Sequence, residues 1–182
     1  MSAAIDDLRH EHEAILFTLK ILGRMAAIMR EGGAIEAADP LALVAFLKEF
    51  ADKCHHGKEE GILFPAMEKA GIRREGGPLG VMLQEHEEGR AYVREMSASL
   101  EGKDLSRFAA AADGYSGLLS RHIEKENTIL FPMGEEALSP AVLAEVYEGF
   151  ERHEATVIGQ GRHEELHAML DVFEAKYLKP AD

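Results

Sequence analysis

The sequence is poor in the residues that mark several classes of protein. Its single cysteine, Cys54, cannot form a disulfide within the chain and suits a reducing compartment. Tryptophan is absent, proline occurs only six times, and no apolar run approaches the ~20 residues that a membrane-spanning helix needs. We therefore expect a protein that neither crosses a membrane nor depends on disulfide bonds.

Basic residues are also scarce, because 20 lysines and arginines stand against 33 aspartates and glutamates, giving a formal net charge of −13. This excess of negative charge disfavours nucleic acids and anionic membrane surfaces as partners. Residues 1–8 contain no basic region followed by an apolar core. We therefore expect no secretory signal peptide and a cytoplasmic location.

The residues that are abundant are typical of a helical protein. The 182 residues, 46% of them hydrophobic, fit a single domain, 1–182, with a sizeable core. Alanine, leucine, glutamate and methionine are frequent and no strand-like alternation stands out, which predicts an all-α fold. The predicted helices span about residues 5–30, 39–71, 76 onwards and 104–133, followed by a helical region, 139–178, interrupted near 159–161.

One stretch occurs twice, and the rest of the chain is organised around it. Residues 55–65 and 122–132 both read His-x-x-Lys-Glu-x-x-Ile-Leu-Phe-Pro. The shared histidine and glutamate are four residues apart, so on a helix they lie on one face and can point at one metal ion. The first copy supplies His55 and Glu59, and the second supplies His122 and Glu126.

Two further histidines precede the two copies in the same order. His12 and His86 each lie in the apolar stripe of the helix before a repeated stretch. In an up-down-up-down bundle the odd helices start at the end where the even helices finish, which places all four histidines at about the same height. We therefore predict a site built from His12, His55, Glu59, His86, His122 and Glu126.

The neighbours of the first copy need a choice of register, because His56 and Glu60 are also four residues apart. The face of His56 runs back to charged residues such as Asp52, so we expect His56 and Glu60 to face water. His55→Ala and Glu59→Ala should then lose metal, whereas His56→Ala and Glu60→Ala should retain it. The same regular spacing places Ile129 on the inner face.

Four imidazoles and two carboxylates inside a bundle are typical of a site for two metal ions. Imidazole suits iron, copper, zinc and nickel, while carboxylates favour harder ions and can bridge two of them. A set without thiolate at an interhelical site is most like di-iron carboxylate chemistry. Without metal, burying these six polar groups unpaired would be costly.

These residues resemble the hemerythrin-like, HHE cation-binding domains over about residues 5–135. The resemblance implies a four-helix bundle with a non-haem di-iron centre. It also implies terminal iron ligands at His12, His55, His86 and His122, and bridging carboxylates at Glu59 and Glu126. The region 139–178 has no counterpart in the minimal bundle and is interpreted as a C-terminal extension.

The chain departs from the oxygen-carrying members of that family at two positions. Arg90 stands where they have a second histidine on the third helix, and Glu126 replaces an aspartate spaced by five. One nitrogen ligand is therefore missing, unless His153 or His163 from the C-terminal region supplies it. Tyr115, two turns before His122, is interpreted as a core residue or as a donor close to the metals.

The resemblance implies a non-haem di-iron protein that reacts with or senses dioxygen, peroxide or nitric oxide. Two alternatives stay open, namely a peroxidase, catalase or oxidase, and a helical interaction module with structural metal. With fewer nitrogen ligands, we expect the reduced protein to oxidise in air without reversible oxygen carriage, and still to bind nitric oxide.

Overall fold

The computed structural model describes residues 2–159 and 161–179, except for the side chains of residues 163, 164 and 167. All regular secondary structure in these residues is helical, which confirms the all-α prediction. Among the described helices none has a stretch both long enough and apolar enough to cross a membrane.

The elements are of two kinds, ordinary α-helices and segments with wider turns. We label the second kind π because their backbone N–H groups bond to the carbonyl five residues back. In chain order they are α1 (Ala3–Arg30), α2 (Ala38–Phe46), π1 (Leu47–His56), π2 (Glu59–Leu63), α3 (Phe64–Lys69), α4 (Pro78–Glu101), α5 (Leu105–Lys125), π3 (Glu126–Leu130), α6 (Phe131–Ala137), α7 (Pro140–Val157), α8 (Arg162–Phe173) and π4 (Glu174–Leu178).

These elements join into four rods that run alternately up and down. The second rod is α2 to α3, and the fourth is α5 to α6, while α1 and α4 are rods by themselves. Contacts at both ends show that α1 and the fourth rod are antiparallel, because Ser2 bonds to Glu135 while Arg30 pairs with Asp113. The predicted hemerythrin-like bundle is confirmed.

The wider turns π2 and π3 coincide with the repeated Ile-Leu-Phe-Pro sequence. The backbone N–H of Phe64 bonds to the carbonyl of Glu59, and that of Phe131 bonds to the carbonyl of Glu126, both five residues back. The proline that follows each phenylalanine falls in the first turn of the next α-helix. Proline is tolerated there because it has no N–H to donate.

The wider turns also change which side chains face inward. Leu130 and Phe131 are buried, whereas Ile129 is 54% exposed. The expectation that Ile129 lies on the inner face was therefore wrong. It assumed 3.6 residues per turn, and π3 turns through a smaller angle per residue. In both copies the buried pair is the leucine and the phenylalanine.

Two apolar clusters fill the bundle on either side of a polar layer. One contains Ile5 and Leu8 near the start of α1, and the other begins at Ile15 and continues towards the end of that helix. His12 lies between them on the same helix. The predicted site residues therefore occupy a layer that is covered by hydrophobic core above and below.

The C-terminal helices pack on the outside of the bundle. Phe150 of α7 is fully buried, and the ammonium of Lys58 lies 5.6 Å from the centre of its ring. Asp39 is the second residue of α2 and accepts hydrogen bonds from Tyr177 and Lys176 of π4.

Phe131→Ala should cost about 3–5 kcal/mol of unfolding free energy, because it removes a fully buried ring. Ile129→Ala, two residues away, should stay within about 0.5 kcal/mol because its side chain is mostly exposed. Urea denaturation of both variants in excess chelator measures the difference. Equal losses of unfolding free energy in the two variants would contradict the assignment of Phe131 as buried and Ile129 as exposed.

Candidate metal centre

All six predicted site residues converge in the polar layer of the bundle. Each is buried, with 1% or less of its surface exposed: His12, His55, Glu59, His86, His122 and Glu126. Their ligand atoms fall into two groups whose members lie within 4.8 Å of one another: His12, His55, Glu59 and Glu126 in one, and Glu59, His86 and His122 together with His56 in the other. The repeated sequence and the common height of the histidines therefore bring these side chains together as expected.

The first half of the site lies between α1 and the second rod. Nε2 of His12 is 3.2 Å from Oε2 of Glu126, and Nε2 of His55 is 3.7 Å from Oε1 of Glu59. The two imidazole rings are 4.7 Å apart. Two nitrogens and one oxygen from each glutamate thus surround a common space.

The second half uses the other oxygen of each glutamate. Nε2 of His86 is 3.4 Å from Oε2 of Glu59, and Nε2 of His122 is 3.1 Å from Oε1 of Glu126. The two Nε2 atoms are 3.0 Å apart. Each glutamate therefore faces one histidine pair with one oxygen and the other pair with the second, as carboxylates that bridge two ions do.

The outward nitrogen of each imidazole is held by an oxygen acceptor. Nδ1 donates from His12 to Asn127, from His55 to Glu11, from His86 to Glu60 and from His122 to Glu85, over 2.7–3.0 Å. Because these acceptors fix the proton on Nδ1, the lone pair of each neutral ring lies on Nε2 and points inward. Metal-binding histidines in proteins are oriented in this way.

The charges at the centre are strongly coupled. Burial, followed by repulsion from Glu126, raises the pKa of Glu59 to about 7. Burial also disfavours a charged Glu126, but the imidazoles of His122 and His12 outweigh it and hold its pKa well below the usual range. Burial opposes protonation of His122, yet the Glu126 carboxylate and the bond to Glu85 raise its pKa to about 10.

The imidazoles of His55 and His86 are held in the neutral form that metal binding requires. Burial lowers the pKa of His55 well below its usual value, and nearby His12 adds to this effect. Burial also lowers the pKa of His86, together with the charge of His122. In His12 burial acts in the same direction, but the Glu126 carboxylate, 3.2 Å from its Nε2, raises its pKa overall.

The residues fit a bound cation because five of their inward atoms lack a hydrogen-bond partner within the described part of the chain. Among the described residues, no hydrogen bond reaches either carboxylate oxygen of Glu59 or Glu126, or Nε2 of His12. Leaving so many buried polar atoms unpaired costs roughly 1–3 kcal/mol for each group. Metal ions at the two positions would engage all of them, and the donors are nitrogen and oxygen only.

His56 corrects the sequence-based register. It is only 3% exposed, and its ring stacks on His86 with 3.8 Å between the centres, so the expectation that it faces water was wrong. The reason is π1, whose wider turns separate consecutive side chains by a smaller angle, so that His55 and His56 both point inward. Burial, aided by the charge of His86, lowers its pKa to about 4.

Glu60 is only partly exposed, at 28% of its side chain, and it is held by two partners. One of its oxygens accepts from Nδ1 of His86 and from Arg90, each over 2.7 Å, and these bonds overcome burial and lower its pKa to about 2. Arg90 also bonds to Asp52 and Glu87 over 2.7 Å. Arg90 therefore pairs with three carboxylates on the outer side of the histidines.

The other residues that the sequence singled out lie apart from the centre. Nε2 of His153 donates to the backbone carbonyl of Lys53 over 2.9 Å on the outside of the second rod. The side chain of His163 lies outside the described residues. Tyr115 is buried in the main hydrophobic cluster. Cys54 is buried as expected, and burial raises the pKa of its thiol to about 12.

Cys54 also belongs to a third group of candidate ligand atoms, with Glu11 and Glu154. The ammonium of Lys58 already donates to both carboxylates, over 2.7 and 2.9 Å, and to Asp7 over 2.9 Å. This cation supplies the positive charge that a metal would bring, so the third group is an ion-pair cluster.

Comparison with known families gives one match. The model of the hemerythrin HHE cation-binding domain matches residues 3–134, which include all six predicted ligands and both repeated stretches. Searches of curated proteins and of solved structures gave no significant match.

Glu60→Ala should weaken metal binding about 10–100-fold, because His86 loses the acceptor that orients its ring. Glu87→Ala is the matched control, since Glu87 also pairs with Arg90 but is 66% exposed and makes no bond to a candidate ligand. Competition against a chelator measures both affinities. Unchanged affinity in Glu60→Ala would mean that this bond does not support the site.

Proposed function

The chain belongs to the hemerythrin HHE cation-binding family, and from this premise we propose that it holds a non-haem di-iron centre in its bundle. The proposed ligands are His12 and His55 for one iron, and His86 and His122 for the other. Glu59 and Glu126 bridge the two. The centre then reacts with or senses a small molecule of the dioxygen, peroxide or nitric oxide class.

The observation that carries this proposal is the placement of the four carboxylate oxygens. Glu59 faces His55 with one oxygen and His86 with the other, and Glu126 faces His12 and His122 in the same way. A single-metal site needs only one oxygen from each carboxylate. Two positions that share both glutamates account for all four oxygens.

The chemistry of the donors supports iron. Imidazole and carboxylate together suit iron, and the buried thiol of Cys54 is not part of either histidine group. Iron, when bound, supplies open coordination positions and a redox change. The protein contributes fixed ring orientations, and its apolar clusters limit the access of water from above and below the centre.

A cleft supports access by a small ligand. It has a volume of about 290 Å³ and is lined by His56, Tyr115 and Arg90 on one side of the centre. Lys48 and Arg94 also line it, so its mouth is basic although the protein is acidic. We propose that dioxygen, peroxide or nitric oxide enters here, because the cleft reaches from solvent to buried His56.

We further propose that residues 1–182 form one domain, with the metal-binding bundle in 5–135 and the extension in 139–178. The extension contacts the bundle through α7, α8 and π4 and does not contribute any described histidine to the centre. Its proposed role is support of the second rod. A cytoplasmic location and the absence of a nucleic-acid partner remain predictions from composition.

The iron-reconstituted protein should contain two irons per chain. Glu59→Ala should lose both, because it removes an oxygen from each position. His12→Ala should mainly weaken the first position. Elemental analysis after anaerobic reconstitution checks this, with exposed His10→Ala as the control. A stoichiometry of one in the unaltered protein would refute the paired centre.

Nitric oxide should bind the reduced iron-loaded protein, and Gly89→Val should slow its binding by narrowing the cleft. Gly89 lines the cleft, and a Cβ there would already lie 3.5 Å from the Tyr115 ring. Gly23→Val is the control, because a Cβ at Gly23 meets nothing within 4 Å. Stopped-flow absorption gives the rates. Equal rates in both variants, at equal iron content, would exclude this route.

The same reduced protein separates the two alternative functions. Peroxide or dioxygen turned over in large excess of the iron would identify an enzyme. Reaction once per centre would fit a sensor or carrier. Folding that collapses on chelation, without any reaction with these molecules, would favour a structural metal.

A further inference from the structure

His56 is the buried polar side chain that the proposed centre leaves unexplained. It is 3% exposed, and within the described part of the chain neither of its ring nitrogens makes a hydrogen bond. A neutral imidazole carries one N–H donor and one lone pair. An ordinary packed histidine would have at least one of these satisfied, since each unpaired group costs roughly 1–3 kcal/mol.

The position of His56 points to the second half of the site. Its ring lies 3.8 Å from that of His86 and 5.9 Å from that of His122, centre to centre. Ligand atoms of His56, Glu59, His86 and His122 all lie within 4.8 Å of one another. This is the distance range in which one ion is shared by four side chains.

The surroundings of His56 repeat the pattern of the four other histidines in a looser form. Each of those has Nδ1 bonded to an oxygen acceptor and Nε2 turned inward. Nδ1 of His56 is 3.5 Å from Oδ1 of Asp52, just beyond hydrogen-bond length. Asp52 is itself fixed by Arg90 over 2.7 Å. A small rotation of the His56 ring closes the Nδ1 contact.

From these observations we propose that His56 is a direct ligand of the metal ion that His86 and His122 hold, through Nε2, with Asp52 as acceptor for its Nδ1–H. The inference deepens the proposed function and rests on it. With His56, the metal position at His86 and His122 has three imidazoles, and the position at His12 and His55 has two. The nitrogen that is missing at Arg90 on α4 is thereby supplied from π1 on the second rod.

Arg90 has a defined part in this arrangement. Its guanidinium bonds to Asp52 and to Glu60, the acceptors that face His56 and His86. A histidine at that position would supply one ligand directly. The arginine instead holds the two carboxylates that orient two ligands, which requires the planar set of donors that arginine has.

The test is a titration of metal-free protein with ferrous iron in the absence of air, against a competing chelator. His56→Ala and His56→Gln are compared with exposed His10→Ala. Both His56 variants should keep one tightly bound iron, while the second binds at least about 10-fold more weakly. His10→Ala should bind two irons as the unaltered protein does.

X-ray absorption of the iron-loaded proteins gives a readout that does not depend on reaction with oxygen. About five imidazoles per iron pair are expected in the unaltered protein, and about four in His56→Gln. If the variants do not fold, as judged by far-ultraviolet circular dichroism, the count in the unaltered protein decides alone. Four imidazoles there would overturn the proposal.

The outcomes separate this inference from the function on which it rests. Two irons bound with unchanged affinity in both His56 variants would overturn the role of His56 and leave the paired centre standing. Fewer than two irons in the unaltered protein would overturn the paired centre itself. Faster air oxidation of reduced His56→Ala than of the unaltered protein would agree with a lost nitrogen ligand.

Discussion

The structure depends on two carboxylates that face each other in the middle of a hydrophobic bundle. Glu59 and Glu126 are fully buried, and within the described residues their four oxygens make no hydrogen bond. Burying such charges uncompensated is among the most costly arrangements in a protein interior. The surrounding imidazoles offset part of this cost, as the lowered pKa of Glu126 and the raised pKa of His122 indicate. Cations at the two positions would offset it fully.

From this centre towards the surface, hydrogen-bond donors, carboxylates and cationic side chains follow one another in layers. The imidazoles are followed by acceptors such as Glu11, Glu60 and Glu85, and these are followed by Lys58, Arg90 and Lys125. Each acceptor is therefore fixed from both sides, which limits rotation of the ring that it holds. The C-terminal region takes part, because Glu154 of α7 also bonds to Lys58. Helix α7, which carries none of the proposed ligands, thus stiffens the segment that carries His55 and Glu59.

The fold and the convergence of the six side chains could be predicted from the sequence, because both follow from helical spacing and from the repeated stretch. Two of its assignments failed for one reason. Ile129 faces solvent and His56 faces inward because π3 and π1 depart from 3.6 residues per turn. The proline that ends each repeated stretch hints at an irregular helix end. It does not say in which direction the inner and outer faces of the helix rotate. The facing of Glu60 was predicted wrongly together with that of His56. The reason is that Glu60 is held by a contact with His86 on another helix.

The wider turns also explain how the chain accommodates an arginine on α4. In a regular helix His55 and His56 would diverge by about 100°, at ~3.6 residues per turn, and only one could reach the centre. In π1 both do, and the second lies next to His86 where a ligand from α4 would otherwise be needed. Arg90 then lies outside the rings and pairs with Asp52, Glu60 and Glu87. The substitution at Arg90 and the geometry of π1 are therefore best understood together, as two parts of one rearrangement of the same half of the site.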